Sequence, residues 1–167
     1  MLRILMRGFT SVPCLGVVGV LIFVPLSLGI WAASRDLIAG KDVEHIVETL
    51  EGIAIILIGW GVAIEERASL RDMSHLVGES DDERQVAIDR VCHASGICLL
   101  IIGLFAEIGV EAVRLPNDVM PTGGFDDVIA WASIALLVLG GIVLLHHLVT
   151  LVAAAWFGYR PVRHGGH

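Results

Sequence analysis

Charged side chains are scarce in this 167-residue chain, which contains 17% Asp, Glu, Lys and Arg and 56% hydrophobic residues. Soluble domains usually contain about 25% charged and about 45–50% apolar residues. Basic residues are the scarcer kind, with 11 Lys and Arg against 18 Asp and Glu, for a net charge of −7. This balance argues against nucleic acid as a partner, because nucleic-acid-binding domains carry a basic surface. The apolar excess also excludes a disordered chain.

Cysteine and the common catalytic motifs are equally sparse. The three cysteines, Cys14, Cys92 and Cys98, form no CxxC pair and match no zinc-site spacing. The sequence has no HExxH, no paired ExxH, no Walker motif and no nucleophile–His–acid order. The polar stretches are also too short for a soluble catalytic domain. Together these absences favour a non-enzymatic function.

Four long apolar segments fill most of the chain, at residues 11–33, 45–64, 91–113 and 128–159. A transmembrane helix needs about 20 mostly apolar residues, and in lipid the backbone must satisfy its own hydrogen bonds. The pattern therefore predicts a single-domain, all-α integral membrane protein with transmembrane helices at about 9–33, 44–70, 81–114 and 126–159. Short outer connections predict two antiparallel helical hairpins that form a bundle.

The distribution of basic residues predicts the orientation of these helices. Arg3 and Arg7 also fit the start of a signal peptide, but the first apolar run is longer than the usual hydrophobic region, so a retained helix is predicted. Eight arginines lie on the side of both termini, and three basic residues lie on the other side. The positive-inside rule then predicts cytoplasmic N and C termini. A bacterial inner membrane is the expected location.

Histidines within the segments suggest a cofactor or metal site. Counting about 1.5 Å per residue from the outer helix ends places Glu65, His93 and His146 near one level. Such a level can hold a metal ion through these three residues, or haem b between His93 and either His146 or His147. The alternative is that they are ordinary polar residues near a membrane interface. Because Glu65 opposes the helix dipole at a C-terminal end, it is expected to pair with Arg90, His93 or another chain.

Carboxylates on the second and third helices form another candidate site. Glu48 and Glu51 share one helix face, and Glu107 and Glu111 share another, because each pair is spaced by three or four residues. Ionisable groups inside a membrane often line a watery cavity or an ion path. These four residues therefore predict an ion or proton pathway. The alternative is that they meet water, a partner subunit or the few bases at the same end.

The sequence favours an accessory or structural subunit of a larger membrane complex, or a small homo-oligomer. Small residues inside the segments allow close helix packing in lipid, and little of the chain lies outside the segments. The expected partners are the lipid bilayer and other membrane subunits or copies of the same chain. A haem- or metal-binding electron-transfer subunit and the carboxylate-lined pathway are the alternatives. Ten acids and three bases lie on the predicted outer side, so the net charge of −7 is concentrated there and would attract cations.

Overall fold

The computed structural model describes residues 11–41, 43–69, 83–117 and 125–157. The described residues are 96% helical and contain no strand. Its long helices are α1 (Val12–Ile38), α2 (Val43–Glu65), α3 (Glu83–Asn117) and α4 (Phe125–Phe157). All four are long and apolar enough to cross a membrane. The prediction of an all-α chain with four such helices is confirmed, while the predicted ends at 9–10, 70, 81–82 and 158–159 lie outside the described residues.

The end of α1 differs from the sequence prediction. The helix continues to Ile38 rather than ending near residue 33. Gly40, with φ of 64°, then donates its N–H to the Leu37 carbonyl, and the Lys41 N–H donates to the Asp36 carbonyl. This pair of bonds is a Schellman motif, which glycine favours because positive φ costs it little. The longer helix includes the charged residues Arg35 and Asp36. The Lys41 ammonium lies 2.9 Å from Asp36 Oδ1 and balances the charge of that carboxylate.

The helices contact one another in the cyclic order α1, α2, α3, α4, with a further contact between α2 and α4. Within the described residues, α1 and α3 do not touch. Neighbours run antiparallel: Glu51 of α2 meets Arg114 of α3, whereas Glu65, near the other end of α2, meets His93. The apolar interior between the helices includes the fully enclosed side chains Leu50, Leu57, Leu99, Leu137 and Leu144.

Helices α2 and α3 approach each other most closely, and glycines permit that approach. A Cβ atom at Gly61 would lie 2.8 Å from the Gly96 carbonyl oxygen, and one at Gly96 would lie 2.8 Å from the Glu65 nitrogen. A Cβ atom at Gly103 would lie 3.0 Å from the Ala54 carbonyl oxygen. These are backbone atoms, which cannot rotate away as a side chain can. We call this contact between α2 and α3 the glycine seam.

The outer surface of the helices is apolar as well. Leu21 is 67% exposed, Phe105 is 59% exposed and Ile142 is 58% exposed. A helix that is apolar on all sides is typical of a membrane span or of the core of a large protein. Hydroxyl groups on these helices are satisfied locally, because Ser27 and Ser34 each donate to the carbonyl oxygen four residues earlier.

We predict that Gly61→Ala destabilises the protein, whereas Gly59→Ala does not. The added methyl group at Gly61 meets α3 backbone, while nothing lies within 4 Å of a Cβ at Gly59. Overpacking of this kind costs about 1–3 kcal/mol in the free energy of unfolding. Denaturation of the two purified variants measures the difference. Equal stability of both variants would contradict the glycine seam.

Candidate functional site

Three carboxylates converge at the end of the interior where α2 begins and α3 ends. Glu51 of α2 and Glu107 and Glu111 of α3 each place a carboxylate oxygen within 4.8 Å of the other two. Glu107 and Glu111 share one face of α3 because they are four residues apart. The antiparallel course of α2 brings Glu51 opposite them. We call these three residues the carboxylate cluster.

A single guanidinium group partly balances the carboxylate cluster. Arg114 Nη1 lies 3.2 Å from Glu51 Oε2 and 3.6 Å from Glu111 Oε1. If all three carboxylates are ionised, one positive charge against three negative charges leaves −2. The Arg114 side chain is 52% exposed, so water screens both ion pairs and each contributes only modestly to stability.

Glu107 is the least satisfied member of the cluster. Its Oε2 atom is enclosed and, among the described residues, has no hydrogen-bond partner. Its neighbours on α3, Ala106 and Val110, are buried in the apolar interior. The residue as a whole is half-buried, but a negative charge on the enclosed oxygen is costly because that oxygen has neither water nor a partner to stabilise it. Proton uptake at Glu107 would remove both this cost and part of the repulsion within the cluster.

The carboxylate cluster has the chemistry to hold a proton or a hard cation. Carboxylate oxygens are the ligands that Mg²⁺ and Ca²⁺ prefer, and a carboxylate can also bind a proton. In the part of the chain that the structure describes, no other group of three His, Cys, Asp or Glu residues meets the same distance criterion. Three of the four acids predicted to line a pathway are thus brought together.

Glu48 is the acid that does not join them. Its carboxylate is exposed and lies 4.0 Å from His45 Nδ1, on the same helix. Glu48 and Glu51 are three residues apart and therefore lie on similar faces of α2, but only the Glu51 side chain faces α3.

Comparison with known proteins gives no match: no family profile, no curated protein and no solved structure is similar to this chain.

The proposed metal and haem ligands lie at the opposite end of the interior. His93 Nδ1 lies 3.3 Å from Glu65 Oε1, so Glu65 has one of its expected partners. His146 is exposed, whereas His147 is fully buried. The structure therefore brings Glu65 and His93 together but does not bring His146 close enough to share an ion with them. Of the three histidines, only His147 points into the interior.

Two buried features at this end have no counterpart in the sequence prediction. Arg67 and Asp89 form an ion pair, and both side chains are largely buried. Among the residues that the structure describes, neither nitrogen of the His147 ring has a hydrogen-bond partner. The sequence carries one signal for this ion pair. If α2 and α3 run antiparallel with Glu51 opposite Glu107, Arg67 and Asp89 also fall opposite each other.

We predict that Arg114→Ala lowers stability by about 1 kcal/mol near pH 7 and much less near pH 4. At neutral pH the variant leaves the carboxylates without their counter-charge. Acid protonates carboxylates and thereby removes that repulsion. Unfolding at the two pH values measures the change, and Arg114→Lys serves as the charge-conserving control. A penalty that does not depend on pH would contradict the role of Arg114.

Proposed function

We propose that this chain is a four-helix bundle that spans a bilayer. The support is fourfold: the length of the helices, their apolar outer faces, the locally satisfied hydroxyl groups and the enclosed apolar interior. The basic residues support an orientation with both termini in the cytoplasm, as for a protein of a bacterial inner membrane. In that orientation the carboxylate cluster lies near the outer face and the Arg67–Asp89 pair near the inner face.

Within this bundle, we propose that the carboxylate cluster takes up and releases a proton at the outer face. The observation that carries the proposal is the meeting of Glu51, Glu107 and Glu111 within 4.8 Å, with one Glu107 oxygen enclosed and unpartnered among the described residues. Ionisable groups within membrane-spanning segments often mark an ion or proton path. The proposed function is therefore movement of protons into or across the membrane.

The proton proposal follows from the charge balance of the cluster. At about 4 Å, two like charges repel by about 4 kcal/mol at the effective dielectric typical of a protein surface. In the described part of the chain, the ion pairs of Arg114 are with Glu51 and Glu111. A proton is the smallest cation that can relieve the remaining repulsion, and it needs no added space in a packed interior.

A role as an accessory subunit or a homo-oligomer remains a second proposal, and it is compatible with proton exchange. Its support is α1, the least buried of the four helices. The exposed apolar residues on one side of α1 recur at alternating spacings of four and three: Val17, Leu21, Val24, Leu28 and Trp31. This is the repeat with which helices pack against each other. Detergent-solubilised protein that runs as a lone monomer and binds no other subunit would overturn this second proposal.

We predict that Glu107→Gln lowers proton flux about tenfold or more in liposomes that contain the purified protein. Glutamine keeps the size and polarity of the side chain but cannot exchange a proton. Flux is followed with an enclosed pH-sensitive dye after an external pH step. Glu48→Gln is the matched control, because Glu48 is an exposed carboxylate outside the cluster, and its flux is expected to equal that of the original protein. Unchanged flux in Glu107→Gln would overturn the proposed function.

A further inference from the structure

His147 is a buried titratable group that the carboxylate cluster does not explain. Its exposure is 0%, and neither Nδ1 nor Nε2 has a hydrogen-bond partner in the described part of the chain. Buried polar atoms in folded proteins are nearly always bonded to protein or to water. An enclosed imidazole with both nitrogens open is therefore suited to a small polar ligand, and the smallest ligands of imidazole are water and the proton.

His147 lies between a polar end of the interior and an apolar part of it. The Arg67–Asp89 ion pair is buried at the same end of the interior. Other titratable groups at this end include the Glu65–His93 pair, the buried Cys92 of α3, the half-buried Cys14 of α1 and the exposed residues Glu66, Arg90 and His146. None of these groups forms a hydrogen bond with His147.

An apolar layer separates His147 from the carboxylate cluster. A Cβ atom at Gly140 would lie 2.7 Å from Leu57 Cδ1 and 3.3 Å from Ile102 Cγ2, and one at Gly141 would lie 3.5 Å from Leu26 Cδ2. Leu26, Leu57 and Ile102 therefore bring the other three helices against α4 at this level. We call these five residues the apolar layer.

The layer lies between the two polar ends. At about 1.5 Å per residue along a helix, Glu107 is about 8 Å beyond the layer on α3, counted from Ile102. By the same rule His147 is about 10 Å beyond it on the other side, counted from Gly140 of α4. The two titratable groups thus occupy opposite halves of the interior, and neither can pass a proton to the other directly.

We propose that His147 is the second proton-binding group of the route that starts at the carboxylate cluster, and that the apolar layer is the barrier between them. This inference rests on the proposed function. A proton leaves the Glu107 carboxyl group as its O–H bond breaks, crosses on water that enters the layer, and forms an N–H bond with one ring nitrogen. The opposite ring nitrogen then releases its proton to water at the inner end of the interior, because Arg67 is already protonated and cannot accept it. Imidazole suits this exchange because its two nitrogens can bind and release protons in turn.

The neighbouring histidines of α4 provide the test. Proton flux is measured in liposomes for the full-length chain and its His147→Gln, His146→Gln and Glu107→Gln variants. We expect His147→Gln to lower flux about tenfold, as Glu107→Gln does, and His146→Gln to leave it unchanged. Normal flux in His147→Gln together with reduced flux in Glu107→Gln would overturn the role of His147 and leave the proposed function standing. Normal flux in both would overturn the proposed function itself.

A change in the apolar layer tests the same inference without altering His147. Leu57→Ser places a hydroxyl group at the level of Gly140 and helps water to enter, so we expect proton flux to rise several-fold. Ile55→Ser is the matched control, because Ile55 lies on the exposed face of the same helix, and its flux is expected to stay unchanged. Equal flux in the two serine variants would overturn the barrier.

Discussion

The close approach of α2 and α3 is the constraint on which the rest of the structure depends. Gly61, Gly96 and Gly103 let the two backbones meet without intervening side chains. Lipid tails are as apolar as the helix surfaces, so no hydrophobic force drives helices together in a membrane. Close packing of this kind drives their association instead. The glycine seam sets the register of the two helices. That register alone places Glu51 opposite Glu107 and Arg67 opposite Asp89.

The register also separates polar chemistry into two ends. Carboxylates and one arginine gather at one end of the interior, and the Arg67–Asp89 pair and His147 gather at the other. At the apolar layer between them, the side chains that meet are leucine and isoleucine. Hydrophobic constrictions of this kind close channels by dewetting. A proton route through this chain would therefore be gated rather than open.

Much of the fold follows from the sequence, but the rotation of each helix does not. The length of the apolar segments predicts four long helices. The spacing of four residues predicts that Glu107 and Glu111 share one helix face. Counting along a helix gives depth, which correctly groups Glu65 with His93. It does not give the direction a side chain faces, because α4 is apolar on all sides and its sequence marks no inner face. For that reason His147, rather than its neighbour His146, is found in the interior only from the structure.

The same limit applies to the glycines. Gly59 and Gly61 lie two residues apart in the same apolar segment, yet only Gly61 lies against another backbone. Choosing between them requires knowing which face of α2 meets α3. Likewise, the extension of α1 to Ile38 depends on Lys41 folding back onto Asp36, a contact that the apolar pattern does not encode.

The central claim is that the carboxylate cluster exchanges a proton at Glu107, and infrared spectroscopy of the membrane-embedded protein tests it most directly. The account predicts a carbonyl band of a protonated carboxyl group that rises and falls reversibly with the pH on the outer side. The band should be absent from Glu107→Gln and intact in Glu48→Gln. A band that persists without the Glu107 carboxyl group, or a protein with no such band at any pH at which it stays folded, would contradict the account.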